Sequence, residues 1–295
     1  MLSLVLGSEV TDASVAAIAS TYSKLELLDL SGDQTYLVCN LTTQKFVVLP
    51  KLAIVSKSDL DRRCYGYLIY DPTKSLDYKV VVVDFVDMNT TQFDMYSSES
   101  GSWKSTLSGL SHAWPGYSAI WNGAIFWMRC PRSHKPCSKH HHVYYRFDID
   151  TEKLSRTRVP SPDRKLSRGI LHFGECGDRL FLIPNPCESA TEFRVLEMIH
   201  RENEFQWTVK YIVDATPLIL PQRGCEFSVM GVMNVGANGN DLTVVALIWG
   251  KVVQYSIKSK SLKVLFDFPL GRNFPACLPN HSVYSYQFIP SLAPI

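Results

Sequence analysis

From Tyr36 to Pro50 the chain reads YLVCNLTTQKFVVLP, an apolar strand, a polar turn and a second apolar strand that stops at proline. Variants of this phrase recur as FDMYSSESGSWKSTL from Phe93, YYRFDIDTEKLSRTRVP from Tyr144, RVLEMIHRENEFQWTVKYIV from Arg194 and VVQYSIKSKSLKVLFDF from Val252. With the turns taken to start at Asn40, Ser97, Asp148, His200 and Lys258, successive copies are 57, 51, 52 and 58 residues apart. An isolated hairpin is marginal in water, so hairpins repeated at near-constant spacing have to bury their faces against one another.

The spacing is close to the roughly 50 residues of a kelch-type propeller blade, a four-stranded sheet stacked on its neighbours. The fold class read from it is all-β, a kelch-like β-propeller of six blades of four antiparallel strands, the first incomplete. An ordinary β-sandwich with regular hairpins is the alternative; a chain of 295 residues would need two of them, and no linker separates two halves. Strand periodicity dominates elsewhere as well: YKVVVVDFVDM from Tyr78 and VYYRFDI from Val143 alternate or run apolar. Lys24–Leu30 turns through Ser31, Gly32 and Asp33 into QTYLVCN, read as the inner half of a first blade. Tyr65–Asp71 and Tyr78–Phe85 form a strand pair about an Asp-Pro turn. SAIWNGAIFWM carries Asn122-Gly123 between alternating aromatics, the strongest hairpin signal in the chain, and places Trp121, Phe126 and Trp127 between blades. Leu171–Ile183 is a further hairpin about a Gly-Asp turn. VYSYQFIPSL from Val283 is a strand with nothing after it to pair with, suited to closing the ring beside the first blade. Residues 1–22 show no clean period.

Hydrophobic residues make up 46% and charged residues 20%, a globular balance, and no window reaches the ~20 apolar residues of a membrane helix. The opening MLSLVLGSEV has no basic residue before its short apolar run, so a secretory leader is not expected; eight scattered cysteines fit reduced thiols and a cytoplasmic or nuclear location. The net charge of +2 is uneven, because Arg129–Arg168 carries +7 and the remainder −5. Such a patch steers an acidic partner or is a set of solvated loop charges.

With the repeats laid out, the chain resembles the F-box-associated domain of plant F-box proteins, a kelch-like β-propeller. YLVCNLTTQKFVVLP is similar to that family's opening block, YGYLIYDPTKSLDYKVVVV to its second and MYSSESGSWKS to its third. WNGAIFWM, FDIDTEKL and VLEMIHRENEFQWTVKYIVD continue the match in the family's order, over roughly Ser23 to Leu292. Leu41 stands where the family often has proline. The resemblance implies a propeller domain over residues 23–295 that binds an unknown target protein through rim loops, as the substrate-recognition part of a Skp1-cullin-F-box ubiquitin ligase. The 22 residues before the first strand lack the pattern of an F-box, so contact with the Skp1-cullin complex is expected only if an F-box is supplied upstream. The alternatives are a stand-alone scaffold or decoy, and a metal-dependent propeller enzyme.

No HExxH, G-x-S-x-G or phosphate-cradling glycine loop is present, so enzyme activity and cofactors are not expected. Cys130, His134, Cys137 and one of His140, His141 or His142 have the donor types of a tetrahedral zinc site, though structural zinc more often uses paired C-x2-C or H-x3-H knuckles. The competing reading is a solvated basic loop. Trp114 and Tyr117, before the third unit's first hairpin, are candidate partner-binding residues of a rim loop, as are Arg132, Lys135 and Lys139. Packing between blades is the other reading of the two aromatics. Neither nucleic acid nor membrane is expected as a partner, since no RNP-like motif is present.

Overall fold

The computed structural model describes residues 25–30, 35–40, 45–52, 65–71, 75–85, 90–108, 117–129, 143–158, 170–185, 191–201, 204–218, 227–235, 241–248 and 250–267. The described elements are strands in antiparallel sheets plus one turn of 3-10 helix, Thr216–Leu218. The chain divides into two compact units, residues 1–112 with 286–295, and residues 113–285.

The first unit holds two sheets. Strands β1 (Leu25–Leu30), β2 (Thr35–Asn40) and β3 (Lys45–Val48) form one of three strands; β4 (Tyr65–Ile69), β5 (Lys79–Phe85), β6 (Thr91–Ser97) and β7 (Ser102–Ser108) form one of four, in chain order. Tyr36 and Val38 of β2 and Leu49 pack on Tyr78, Val80, Val82 and Tyr96. Val81 and Val83, which point to the opposite face of β5, are buried too. That explains why KVVVVDF runs apolar without alternation: a strand covered on both faces has no polar side. The two sheets are also pinned by Trp103, whose ring lies 6.0 Å from Tyr36 and 5.4 Å from Tyr96 and whose Nε1–H donates to the Pro50 carbonyl at 2.7 Å.

The second unit holds three four-stranded sheets, each again in chain order. They are β8 (Tyr117–Trp121), β9 (Ala124–Arg129), β10 (Val143–Asp148) and β11 (Lys153–Arg158); β12 (Ile170–Cys176), β13 (Arg179–Pro184), β14 (Glu192–Arg201) and β15 (Glu204–Asp214); and β16 (Ser228–Val235), β17 (Asp241–Ile248), β18 (Lys251–Ser256) and β19 (Leu262–Asp267). The middle sheet is buried on both faces. Leu180, Leu182, Leu196, Met198 and Trp207 meet Ala124, Phe126, Met128 and Tyr144. Phe181, Ile183, Phe193 and Val195 meet Val232, Leu242, Val244, Ala246 and Val253 on the other side. A bulge in the β14–β15 pairing falls between Val195 and Leu196. Each of these side chains contributes about 1.5–3 kcal/mol by leaving water, which is how sheets too thin to fold alone become stable.

All five recurring phrases are hairpins: β2–β3, β6–β7, β10–β11, β14–β15 and β18–β19. Asn122 (φ 46°) and Gly123 (φ 69°) are both left-handed, the tight hairpin turn that the dipeptide predicts. Trp127 and Phe126 are buried as expected. In every four-stranded sheet the recurring hairpin supplies the third and fourth strands; β1 and β2 pair as the expected hairpin and open a sheet that has three strands among the described residues. Residues 1–22, the tip at 236–240 and the strand expected from Val283 lie outside the described residues.

Candidate interaction surface

Of the candidate partner-binding and metal-ligating residues, Tyr117 alone is described; Trp114, Arg132, Lys135 and Lys139, and the Cys130, His134, Cys137 and His140 loop, lie outside the described residues. Tyr117 is half-buried against the core shared by the first and middle sheets of its unit, and its hydroxyl donates to the Ile170 carbonyl at 2.6 Å. That bond joins β8 to β12.

The described surface that offers preorganised contacts is made by the hairpin turns. In the first unit, the loop from β4 to β5 is tied to the β6–β7 turn. The Asp77 carboxylate accepts from the hydroxyls of Ser75 and Ser98, at 3.3 and 3.2 Å, and the Asp77 N–H donates to Ser75 Oγ at 2.9 Å. Ser98 in turn accepts from the Tyr78 N–H at 2.8 Å and donates its own N–H to the Tyr78 carbonyl. Between these fixed residues Leu76 is 65% exposed. An exposed leucine is ordinary by itself; one held on a hydrogen-bonded loop loses little freedom on meeting a partner. Glu99, Ser100 and Ser102 of the β6–β7 turn are exposed polar residues.

In the second unit the turn side carries an aromatic and cationic cluster. Phe205 has the His200 ring stacked on it at 4.7 Å, the Arg146 guanidinium 4.8 Å from its centroid and the Trp121 ring edge-on at 5.8 Å. Trp121 Nε1–H donates to the Asp178 carbonyl at 2.8 Å, fastening the β8–β9 turn to the β12–β13 turn. Arg146 pairs with Asp148. Burial pushes the Asp148 carboxyl up, but hydrogen bonds from Thr151 and Arg146 outweigh it and hold the group below the ordinary carboxylate value.

Burial is the leading influence on the titratable groups of β12. His172 Nε2 is sealed from solvent with no hydrogen-bond partner, and burial lowers its pKa to about 4. Burial also raises the Cys176 thiol, which keeps it protonated and unreactive, and raises the Glu175 carboxyl against the pull of the Asp178 N–H. Among the described residues no three His, Cys, Asp or Glu side chains gather as metal ligands, and no helix is long and apolar enough to cross a membrane. What these turns present among the described residues is an exposed leucine, stacked rings and fixed charges.

The sequence profile of the F-box associated beta propeller domain matches residues 11–236. The F-box protein At5g07610 of Arabidopsis thaliana is 26% identical over 296 aligned positions, covering 88% of this chain and 64% of that protein, so the chain spans under two thirds of this relative's length. F-box/LRR-repeat protein 17 of the same plant is 78% identical over 32 residues, 11% of this chain and 5% of that one. Among solved structures, the β-propeller domain of the Trilobed protease from Pyrococcus furiosus covers 81% of this chain and is covered over 66% of its own, at 14% identity and a TM-score of 0.40. The WD40 domain of SCAP from fission yeast covers 82%, with 53% of its own chain, at 15% identity and a TM-score of 0.42.

Proposed function

The chain belongs to the F-box associated β-propeller family, and from that premise we propose that it is the target-recognition part of a Skp1-cullin-F-box ubiquitin ligase. The profile match over residues 11–236 carries this reading. The propeller binds and positions a protein target in the cytoplasm or nucleus; an F-box docks the assembly on Skp1, and the bond-making belongs to other subunits. The sheets support the division of labour, because their burial on both faces fixes the frame while turns and loops are left to vary. Leu76, held by the Asp77 and Ser98 network, is an anchor for the target.

The test compares the chain as it stands with the chain fused behind an F-box, each incubated with purified Skp1 and then expressed in plant cells. The fused form captures Skp1 and raises the ubiquitination of proteins that the unfused form also binds. If no protein bound by the unfused chain gains ubiquitin on fusion, the ligase reading fails and a scaffold or decoy takes its place. Leu76→Asp in the fused form weakens target capture by about 2 kcal/mol, roughly thirtyfold, at an unchanged melting temperature.

A further inference from the structure

We infer that the outer edge of β19 is a docking strand for an extended segment of a partner protein in which apolar residues alternate with acidic ones. β19 is the fourth strand of its sheet, and among the described residues β18 is its one strand neighbour. All six of its residues are exposed. Leu262, Val264, Leu265 and Phe266 among them are 40–53% exposed, in a strand whose interior carries a single charge and no proline. Outer strands of natural sheets are ordinarily blunted by charged and polar side chains. β11, in the same position of its own sheet, follows that rule with Lys153, Ser155, Arg156 and Thr157 exposed. β19 departs from it: the row of N–H and C=O groups on its side away from β18 runs beside an aliphatic surface, the setting in which a partner adds a strand.

Register and charge name the occupant. Leu262 and Val264 stand opposite Tyr255 and Val253 of β18, which belong to the core shared with the middle sheet, so they carry that face outward. Lys263 stands opposite Gln254 and points to the other face. A strand laid against β19 sends its side chains alternately to the same two faces, and meets aliphatic groups on one and an ammonium on the other. Leu265 stands opposite no residue of β18, a bulge that turns Phe266 to the Lys263 face. From Lys251 to Asp267 there are four lysines and one aspartate, and Lys251 Nζ already lies 2.8 Å from that carboxylate. Lys258 and Lys263 are exposed, with no carboxylate within ion-pair distance among the described residues. The hairpin therefore presents positive charge along β19, which selects glutamate or aspartate at the positions beside Lys263. This contact goes beyond the ligase reading and holds whether or not an F-box is attached.

The probe is a labelled, end-capped peptide of about seven residues alternating valine and glutamate, titrated to millimolar concentration against the full chain by fluorescence polarisation and mapped by hydrogen exchange. The expected result is saturable binding that salt weakens, with new protection of the outward amides of Leu262–Asp267. Methylating one of the two alternating sets of peptide nitrogens abolishes it, because that set faces the ladder. Lys263→Glu weakens this peptide about fivefold and strengthens one alternating valine and lysine by a similar factor, a reversal that loss of folding could not produce. Absence of saturable binding overturns the inference, as does binding that neither methylation nor Lys263→Glu alters. Outward β19 amides already protected in the free, dilute chain mean that the chain itself covers the edge, and protection that grows with protein concentration alone puts a second copy there; either result overturns it.

Discussion

Acidification from pH 7 to pH 4.5 tests the burial of His172. β12 sets His172, Gly174 and Cys176 on one face, and a Cβ on Gly174 would lie 3.1 Å from both Cε1 and Nε2 of the imidazole, so the ring occupies the space that the glycine leaves. With Nε2 sealed and unpartnered, protonation puts an unmatched charge inside the sheet stack. The folded-state pKa is lowered to about 4, against 6.5 for the free side chain. A group whose folded value is depressed favours the folded state while neutral. Its contribution is complete above pH 6.5, declines as pH falls below that value, and is gone below about 4. The difference corresponds to about 3 kcal/mol in all, most of it lost by pH 4.5. Urea unfolding at half-unit intervals of pH, for the natural chain and for His172→Leu, isolates this effect, because the carboxylates titrate in both. The natural chain loses roughly 2–3 kcal/mol more than the variant between pH 7 and pH 4.5. Parallel stability curves for the two proteins would refute the reasoning, and would mean that the imidazole has water or a partner in the folded state.

Gly177→Ala strains the β12–β13 turn twice, because φ is +57° and a Cβ would sit 2.4 Å from Nδ2 of Asn234; the backbone alone costs about 1–2 kcal/mol, and the loss read from a melting curve exceeds that. Asp94→Ala leaves Gln92 Nε2 and Ser105 Oγ without their acceptor inside the first unit, a loss of about 3 kcal/mol in denaturant unfolding, whereas adding Ser105→Ala to it costs less than the sum of the two single changes. Trp121→Phe keeps the ring contacts with Phe126 and Phe205 but removes the bond to the Asp178 carbonyl, and lowers stability by about 1 kcal/mol.

Much of the frame was legible because hairpin chemistry is local. Asn122-Gly123 requires left-handed residues, and the apolar run of β5 requires cover on both faces; neither depends on distant parts of the chain. The contact surface was not legible for the opposite reason. Asp77 meets Ser98 across 21 residues, and Arg146 meets Phe205 from another sheet, so no pattern within a short window reveals either pairing. Tyr117 shows the limit of composition: partner anchor and packing between blades were both open readings, and the bond from its hydroxyl to a carbonyl 53 residues away is visible only in the fold. The burial of His172 depends on Gly174 two positions on, a relation visible only once the strand's face is known.

Each described four-stranded sheet is laid down by an unbroken stretch of chain, its strands bonded in the order in which they are synthesised. At about 5–20 residues per second a ribosome delivers one such sheet in a few seconds, whereas a hairpin closes in about 1–10 μs. Sheets therefore finish one at a time while the next is still being made. The middle sheet of the second unit then waits with Phe181, Ile183, Phe193 and Val195 uncovered until β16–β18 emerge to meet them. For those seconds the nascent chain shows a broad greasy face to water, and a translational pause placed just after β15 would lengthen the time in which chaperones, or other nascent chains, can reach it.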